Sequence, residues 1–169
     1  YAHALRAPAD DHSDGDAAAI AGTRERIRAL FGEMQLEMSR PAEEQIGEGQ
    51  FYLDFYGRFG VKVLQPMYLL GQAAHTVQDS FSHAMRDEAD GLRVVVEVLN
   101  YADAISSHFS ESRDGLAHSD GMDDCLGAPG AADGTAQAAV EATIDLFIAA
   151  RAVLLDQDVF RPAIDMDLG

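Results

Sequence analysis

The chain has 169 residues, with 29 acidic against 12 basic side chains, a formal charge of −17 and one cysteine. That length suits a single domain, residues 1–169, with a sizeable core. The charge argues against stable nucleic-acid binding and against adhesion to anionic membranes, although bound divalent cations can invert the field locally. Cys125 alone excludes an intrachain disulfide and a cysteine-based zinc knuckle. No stretch has the length of a transmembrane segment. The chain opens at Tyr1 without a Met, so the expectation is a trimmed start with residues upstream.

Residues 1–13 read as a loop, ending in a cluster that Ser13 or Asp14 closes as a helix cap. The first predicted helix runs to about Met38, with Ile20, Ile27, Leu30, Phe31, Met34 and Met38 on one stripe. Asp10 to Asp16 resembles a calcium loop only faintly, because no acidic residue stands at the closing position; a solvated helix start is the better reading. After Arg40-Pro41 a second helix is predicted over about 42–58, weakened by Gly47 and Gly49 and rich in aromatics at Phe51, Tyr52, Phe55, Tyr56 and Phe59. Helical spacing without neighbouring basic residues favours core packing for that run over a base-stacking platform or a lipid-facing surface.

Pro66 suits the first turn of a third helix. A polar turn over 85–91 precedes a fourth, from about Leu92 to Ser107, whose valines would suit a strand but whose apolar stripe continues at helical spacing. Residues 108–134 form a long irregular segment containing His108 and His118, and loops of that length in compact domains are usually functional. A last helix is predicted from Thr135 to Leu155, with Val140, Ile144, Phe147 and Ile148 among its apolar residues, before an extended tail. No period-two strand emerges. The expected fold class is therefore all-α: a single-domain bundle of about five helices with a long functional loop before the last.

The third helix carries the chemistry. Positions four apart lie one turn apart, so His75, Asp79 and His83 form a column of imidazole, carboxylate and imidazole. Leu69, Leu70, Ala73, Ala74, Val77 and Phe81 make the adjacent surface apolar and would turn the column toward the interior, where such groups require a partner or a metal. One helix cannot complete a metal site. Further donors could come from His118 with its neighbouring carboxylates, from His3, or from His108 with Glu111.

The run Leu70-Gly71-Gln72-Ala73-Ala74-His75-Thr76-Val77-Gln78-Asp79-Ser80-Phe81-Ser82-His83 resembles the core motif of the zinc-dependent phospholipase C superfamily, which includes the three-zinc single-strand nucleases. It is more similar still to a group of bacterial and fungal heterokaryon-incompatibility-like proteins. The resemblance implies an all-α fold with zinc ions in a cleft near the bundle centre. It implies His75, Asp79 and His83 as ligands, with Asp79 bridging two ions, joined by His118 with Asp123 or Asp120 and by His3. One to three zinc ions are therefore expected. The chain departs from the pattern at defined points. His83 stands four rather than six residues after Asp79, and Met122 occupies the slot of the loop carboxylate. Tyr1 matches the family's amino-terminal tryptophan poorly, and no catalytic aspartate can be placed, although Asp54 precedes the motif.

The implied chemistry is hydrolysis of a phosphodiester, most naturally in a phospholipid head group, with metal-activated water as nucleophile. Phe51, Tyr52, Phe55 and Tyr56 would then line a mouth for lipid, and a secreted or periplasmic location would fit the family. The alternative is a non-catalytic helical interaction module, with a structural metal or a metal-free His-Asp-His column satisfied by Gln78 and Arg86. A structural zinc is closed by four protein ligands, whereas a hydrolase keeps a position open to water, so coordination separates the two. A di-iron bundle ranks last, for want of paired Glu-x-x-His motifs.

Overall fold

The computed structural model describes residues 3–7, 14–53, 55–100, 110, 113, 115–116 and 132–155. Helix α1 spans Gly15–Met38, strand β1 Ile46–Leu53, strand β2 Gly57–Leu64 and helix α2 Gln65–Ser82. Strand β3 spans Ala84–Arg86, strand β4 Val95–Val98 and helix α3 Ala132–Leu155. Among the described residues the architecture is three α-helices with two separate two-stranded antiparallel sheets, β1–β2 and β3–β4. The expected all-α bundle of about five helices is thus overturned, and with it the fold implied by the family resemblance.

Helices α1 and α2 form where apolar spacing predicts them. Ile27, Leu30, Phe31 and Met34 of α1 are buried against Leu69, Ala73, Ala74, Val77 and Phe81 of α2. Burying each of the larger side chains contributes about 1.5–3 kcal/mol. Pro66 lies in the first turn of α2, where its missing N–H costs no helical bond. Helix α3 completes the core with Ala142, Leu146 and Ala150, while Val140, Ile144, Phe147 and Ile148 face outward. Helix α2 is the central element, packed against α1, α3, both strands of the first sheet and β3.

The expected second helix is instead a β-hairpin. Its register pairs Gly49 with Val61, Phe51 with Phe59 and Tyr52 with Arg58. Phe59, Val61 and Val63 alternate with Arg58, Gly60 and Lys62, a period-two pattern whose β-branched and aromatic members suit a pleated surface. Phe51 stacks on Phe59 at 6.0 Å between ring centroids and meets Tyr68 of α2 at 5.5 Å. Gly49 permits this approach: a Cβ there would lie 2.9 Å from Val63 Cγ2 and 3.2 Å from Tyr68 Cε2. The Tyr68 hydroxyl then donates to the Gln50 carbonyl at 2.8 Å and accepts from the Gln50 N–H at 3.2 Å, tying β1 to α2.

The start of the expected fourth helix is also a strand. Val95 to Val98 pair with β3 across a turn held by Gly91 and Leu92, both at positive φ. Extension there favours the β-branched valines over the helical stripe. The expected loop at 108–134 lies largely outside the described residues, and α3 begins at Ala132, three residues earlier than predicted.

Candidate metal centre

Two turns of α2 and one short segment near the start of the chain build the site. Helical spacing stacks His75 on Asp79, whose carboxylate Oδ2 lies 3.2 Å from His75 Nε2. Residues 3–7 bring His3 to the same point. His3 Nδ1 is 2.9 Å from Asp79 Oδ2 and 3.3 Å from His75 Nε2, with the two imidazoles edge to face at 89°. His3, His75 and Asp79 thus form a group that could hold a metal ion.

The segment carrying His3 is fixed from both sides. The Arg6 backbone N–H donates to the Leu99 carbonyl at 3.0 Å, and Arg6 forms a parallel bridge with Asn100. Its buried guanidinium pairs with Asp16 of α1 at 2.8 Å, and the same Asp16 oxygen accepts the Val98 N–H at 2.7 Å. Ala4, buried beside His3, has φ 49°, in the left-handed region that costs a non-glycine residue about 1 kcal/mol.

His83 stays one turn from Asp79, as its spacing predicts, and makes a further contact with the His3 segment. It is the C-cap of α2 at φ −106° and ψ 12°, and its backbone N–H still donates to the Asp79 carbonyl at 2.8 Å. Its Nδ1 donates to the His3 carbonyl at 2.6 Å and stands 3.9 Å from the Asp79 carboxylate. The ring is buried, and at this position it holds the His3 backbone against α2. His118, Asp120 and Asp123 lie outside the described residues, as do His108, Glu111, Tyr1 and Asp54. Gln78 and Arg86 serve other contacts: Gln78 donates to Thr143, and Arg86 donates to Ser80 and to the Leu92 carbonyl.

The burial is graded rather than uniformly interior. The Asp79 side chain is 16% exposed, while those of His3 and His75 are 63% and 54% exposed and face a cleft. The cleft, of about 1190 Å³, lies between the hairpin and α2. Phe51, Tyr52, Met67 and Tyr68 line it, and Arg58 contributes a cation. Arg58 is exposed and makes no ion pair or hydrogen bond among the described residues. The charge pattern did not single out Arg58, because the 12 basic residues look scattered until β2 places this one across from Tyr52.

The donor set tests well against a metal. Ligand atoms 2.0–2.2 Å from a tetrahedral zinc stand about 3.3–3.6 Å apart. The three separations here, 2.9, 3.2 and 3.3 Å, need adjust by only a few tenths of an ångström. Hydrogen bonding alone fits less well. Each ring N–H points along one edge of the triangle, so at most two of its three short edges can be hydrogen bonds. Two imidazoles and a carboxylate also match the ligand preferences of zinc, and three protein donors open to solvent leave room for water or substrate.

Comparison with models of known families, with curated proteins and with solved structures found no match to this chain.

Proposed function

We propose that the chain is a zinc-dependent hydrolase of phosphodiesters, acting on phospholipid head groups. The observation that carries the reading is the convergence of His3, His75 and Asp79 on the wall of a cleft that also offers aromatic surface and the exposed Arg58. Zinc bound there would polarise a phosphoryl oxygen and make hydroxide available from a bound water near neutral pH. The protein's own groups supply the rest. Arg58 presents a planar fork of donors to the non-bridging oxygens of a phosphodiester. Phe51, Met67 and Tyr68 cover the apolar part of the substrate and exclude water from it. His83 and Arg6 hold the His3 segment in place.

The reading is tested by metal content and turnover together. Protein purified without chelator and reloaded with zinc should retain at least one ion per chain and release the phosphorylated head group from phosphatidylcholine micelles. His75→Ala and Asp79→Asn should each lose both properties. Hydrolysis that survives His75→Ala, or a wild-type protein that retains no zinc, would sink the proposal and leave a hydrogen-bonded histidine cluster.

A further inference from the structure

Helix α2 carries one more polar side chain on the stripe that holds its metal donors. Gln72, His75 and Asp79 stand at positions i, i+3 and i+7, so they follow one another along a single face of the helix. Gln72 is half-buried and lines the cleft together with His75 and His3. The wall beside it is open, since a Cβ built on the neighbouring Gly71 would meet nothing within 4 Å. The Gln72 backbone carbonyl accepts from the Thr76 hydroxyl at 3.0 Å, a contact within the helix. Its side chain is held from outside α2.

Arg26 of α1 donates from Nη2 to Gln72 Oε1 at 3.1 Å. A guanidinium carries only donors, so this bond fixes which end of the amide faces α1 and leaves the NH2 end for the cleft. Among the described residues that NH2 meets no acceptor. Arg26 in turn makes no ion pair among the described residues, in a chain with 29 acidic against 12 basic side chains. The positions three and four away from it in α1 are Gly22, Thr23, Ala29 and Leu30, and the single carboxylate of α2 is Asp79. Its charge therefore acts on a neutral amide. A cation bonded to the Gln72 carbonyl polarises the amide and makes its NH2 a stronger donor than that of an unpaired glutamine.

We infer that Gln72 is a substrate-contacting residue, its NH2 donating to an oxygen of an anion bound at the His3, His75 and Asp79 centre, and that Arg26 is the positioning residue that keeps this donor turned to the cleft. The lock on the amide stands by itself; the identity of the acceptor as a phosphoryl oxygen rests on the proposed function. A phosphodiester held at the ion through one oxygen has remaining oxygens that only accept. Gln72, one turn along the stripe, offers a donor to one of them, while Arg58 approaches from the hairpin side of the cleft. A free glutamine can turn to suit a donor or an acceptor. Locked by Arg26, it selects ligands rich in acceptors, such as phosphates, over those that present ammonium or amide N–H groups at this point.

The test is calorimetric titration of the zinc-loaded full chain with inorganic phosphate, beside steady-state hydrolysis of a soluble chromogenic diester. Gln72→Leu should raise the phosphate Kd about ten- to a hundredfold, the range for a hydrogen bond to a charged group, with zinc content unchanged. Gln72→Glu keeps the bond to Arg26 but replaces the donor with an acceptor, and should lose at least as much; being nearly isosteric, it keeps the test decisive if leucine disturbs folding. Arg26→Met should raise Kd about two- to fivefold, because the amide is no longer held in its competent orientation, and Arg26→Lys should restore part of the loss. Arg26→Met added to Gln72→Leu should then have no further effect. Additive losses would show Arg26 acting as a distant charge and would overturn its positioning role. Phosphate affinity unchanged by both Gln72 variants, in protein that hydrolyses the diester, would overturn the inference and leave the hydrolase reading in place. Affinity that falls with either variant, where the wild type hydrolyses no diester, would support the inference and remove the hydrolase reading. Wild-type protein that binds no phosphate would overturn the inference whatever it hydrolyses.

Discussion

His83 donates its Nδ1 proton to the backbone carbonyl of His3 at 2.6 Å, joining the end of α2 to a segment 80 residues earlier in the chain. The bond fixes the ring's tautomer, because a carbonyl only accepts. It also sets where the His3 imidazole can reach. We expect His83→Ala to lower zinc affinity about 10- to 100-fold through misplacement of His3. His83→Gln, whose amide can still donate to that carbonyl, should recover part of the loss. Calorimetric zinc titration of the two variants checks this, and equal losses in both would make His83 a ligand rather than a positioning residue.

In the proposed hydrolase Arg58 would contact substrate and not metal. Arg58→Ala should leave zinc content unchanged and raise KM for a phosphodiester about tenfold, with a smaller change in kcat, the pattern of lost uniform binding. Arg58→Lys should recover only part of the effect, because an ammonium lacks the planar fork. Steady-state kinetics on a soluble chromogenic diester would reveal the split.

Asp16 serves the site from a distance. Its carboxylate pairs with the buried Arg6 guanidinium and accepts the Val98 N–H. Asp16→Ala leaves both donors without that partner and should lower unfolding stability by about 3 kcal/mol, at the modest end for a broken buried pair because Asp16 is itself a third exposed. Asp16→Asn keeps an acceptor for Val98 and should cost about half as much. Urea unfolding of the two variants checks the order. Zinc affinity should fall with the first more than with the second, since Arg6 lies three residues from His3.

Gly49 is the contact point between hairpin and helix. A methyl group there meets Val63 Cγ2 at 2.9 Å, Phe51 Cε2 at 3.1 Å and Tyr68 Cε2 at 3.2 Å. Gly49→Ala should destabilise the protein by about 1 kcal/mol, and Gly49→Val by roughly 3 kcal/mol, as the hairpin is pushed from α2. Thermal melts monitored at the tyrosine signal would report both the loss of stability and the release of Tyr68.

The residues differ in how openly the sequence declares them. α1 and α2 were legible because their apolar positions repeat every three or four residues over five or more turns, a signal that tertiary context seldom overrides. The pairing of His75 with Asp79 was legible for the same reason: helical spacing alone stacks them. The bond from His83 to the His3 carbonyl was not, because it joins residues 80 apart in the chain and no local spacing encodes it. The hairpin was misread because aromatics dominate 51–59 and fit helical and extended spacing alike. The alternation of Phe59, Val61 and Val63 was the stronger sign, and with Gly57 and Gly60 it points to a strand entered by a turn. That His3 meets this column is a matter of tertiary pairing between Arg6 and Asn100, which no local pattern encodes.

The distance in sequence between His3 and His75 has a consequence for the chain as a polymer. The two ring nitrogens stand 3.3 Å apart across 72 residues, most of the sequence that forms α1, the hairpin and α2. An ion held by both would close that span into a loop. By the entropy of cross-linking, such a closure removes about 4 kcal/mol of freedom from the unfolded ensemble if the link persists there. A disulfide does this permanently, and this chain, with its single cysteine, cannot form one internally. A shared metal ion would act as a reversible staple, fastened when His3 arrives and undone by a chelator. The same three side chains would then govern both what the cleft can hydrolyse and how readily the chain comes apart.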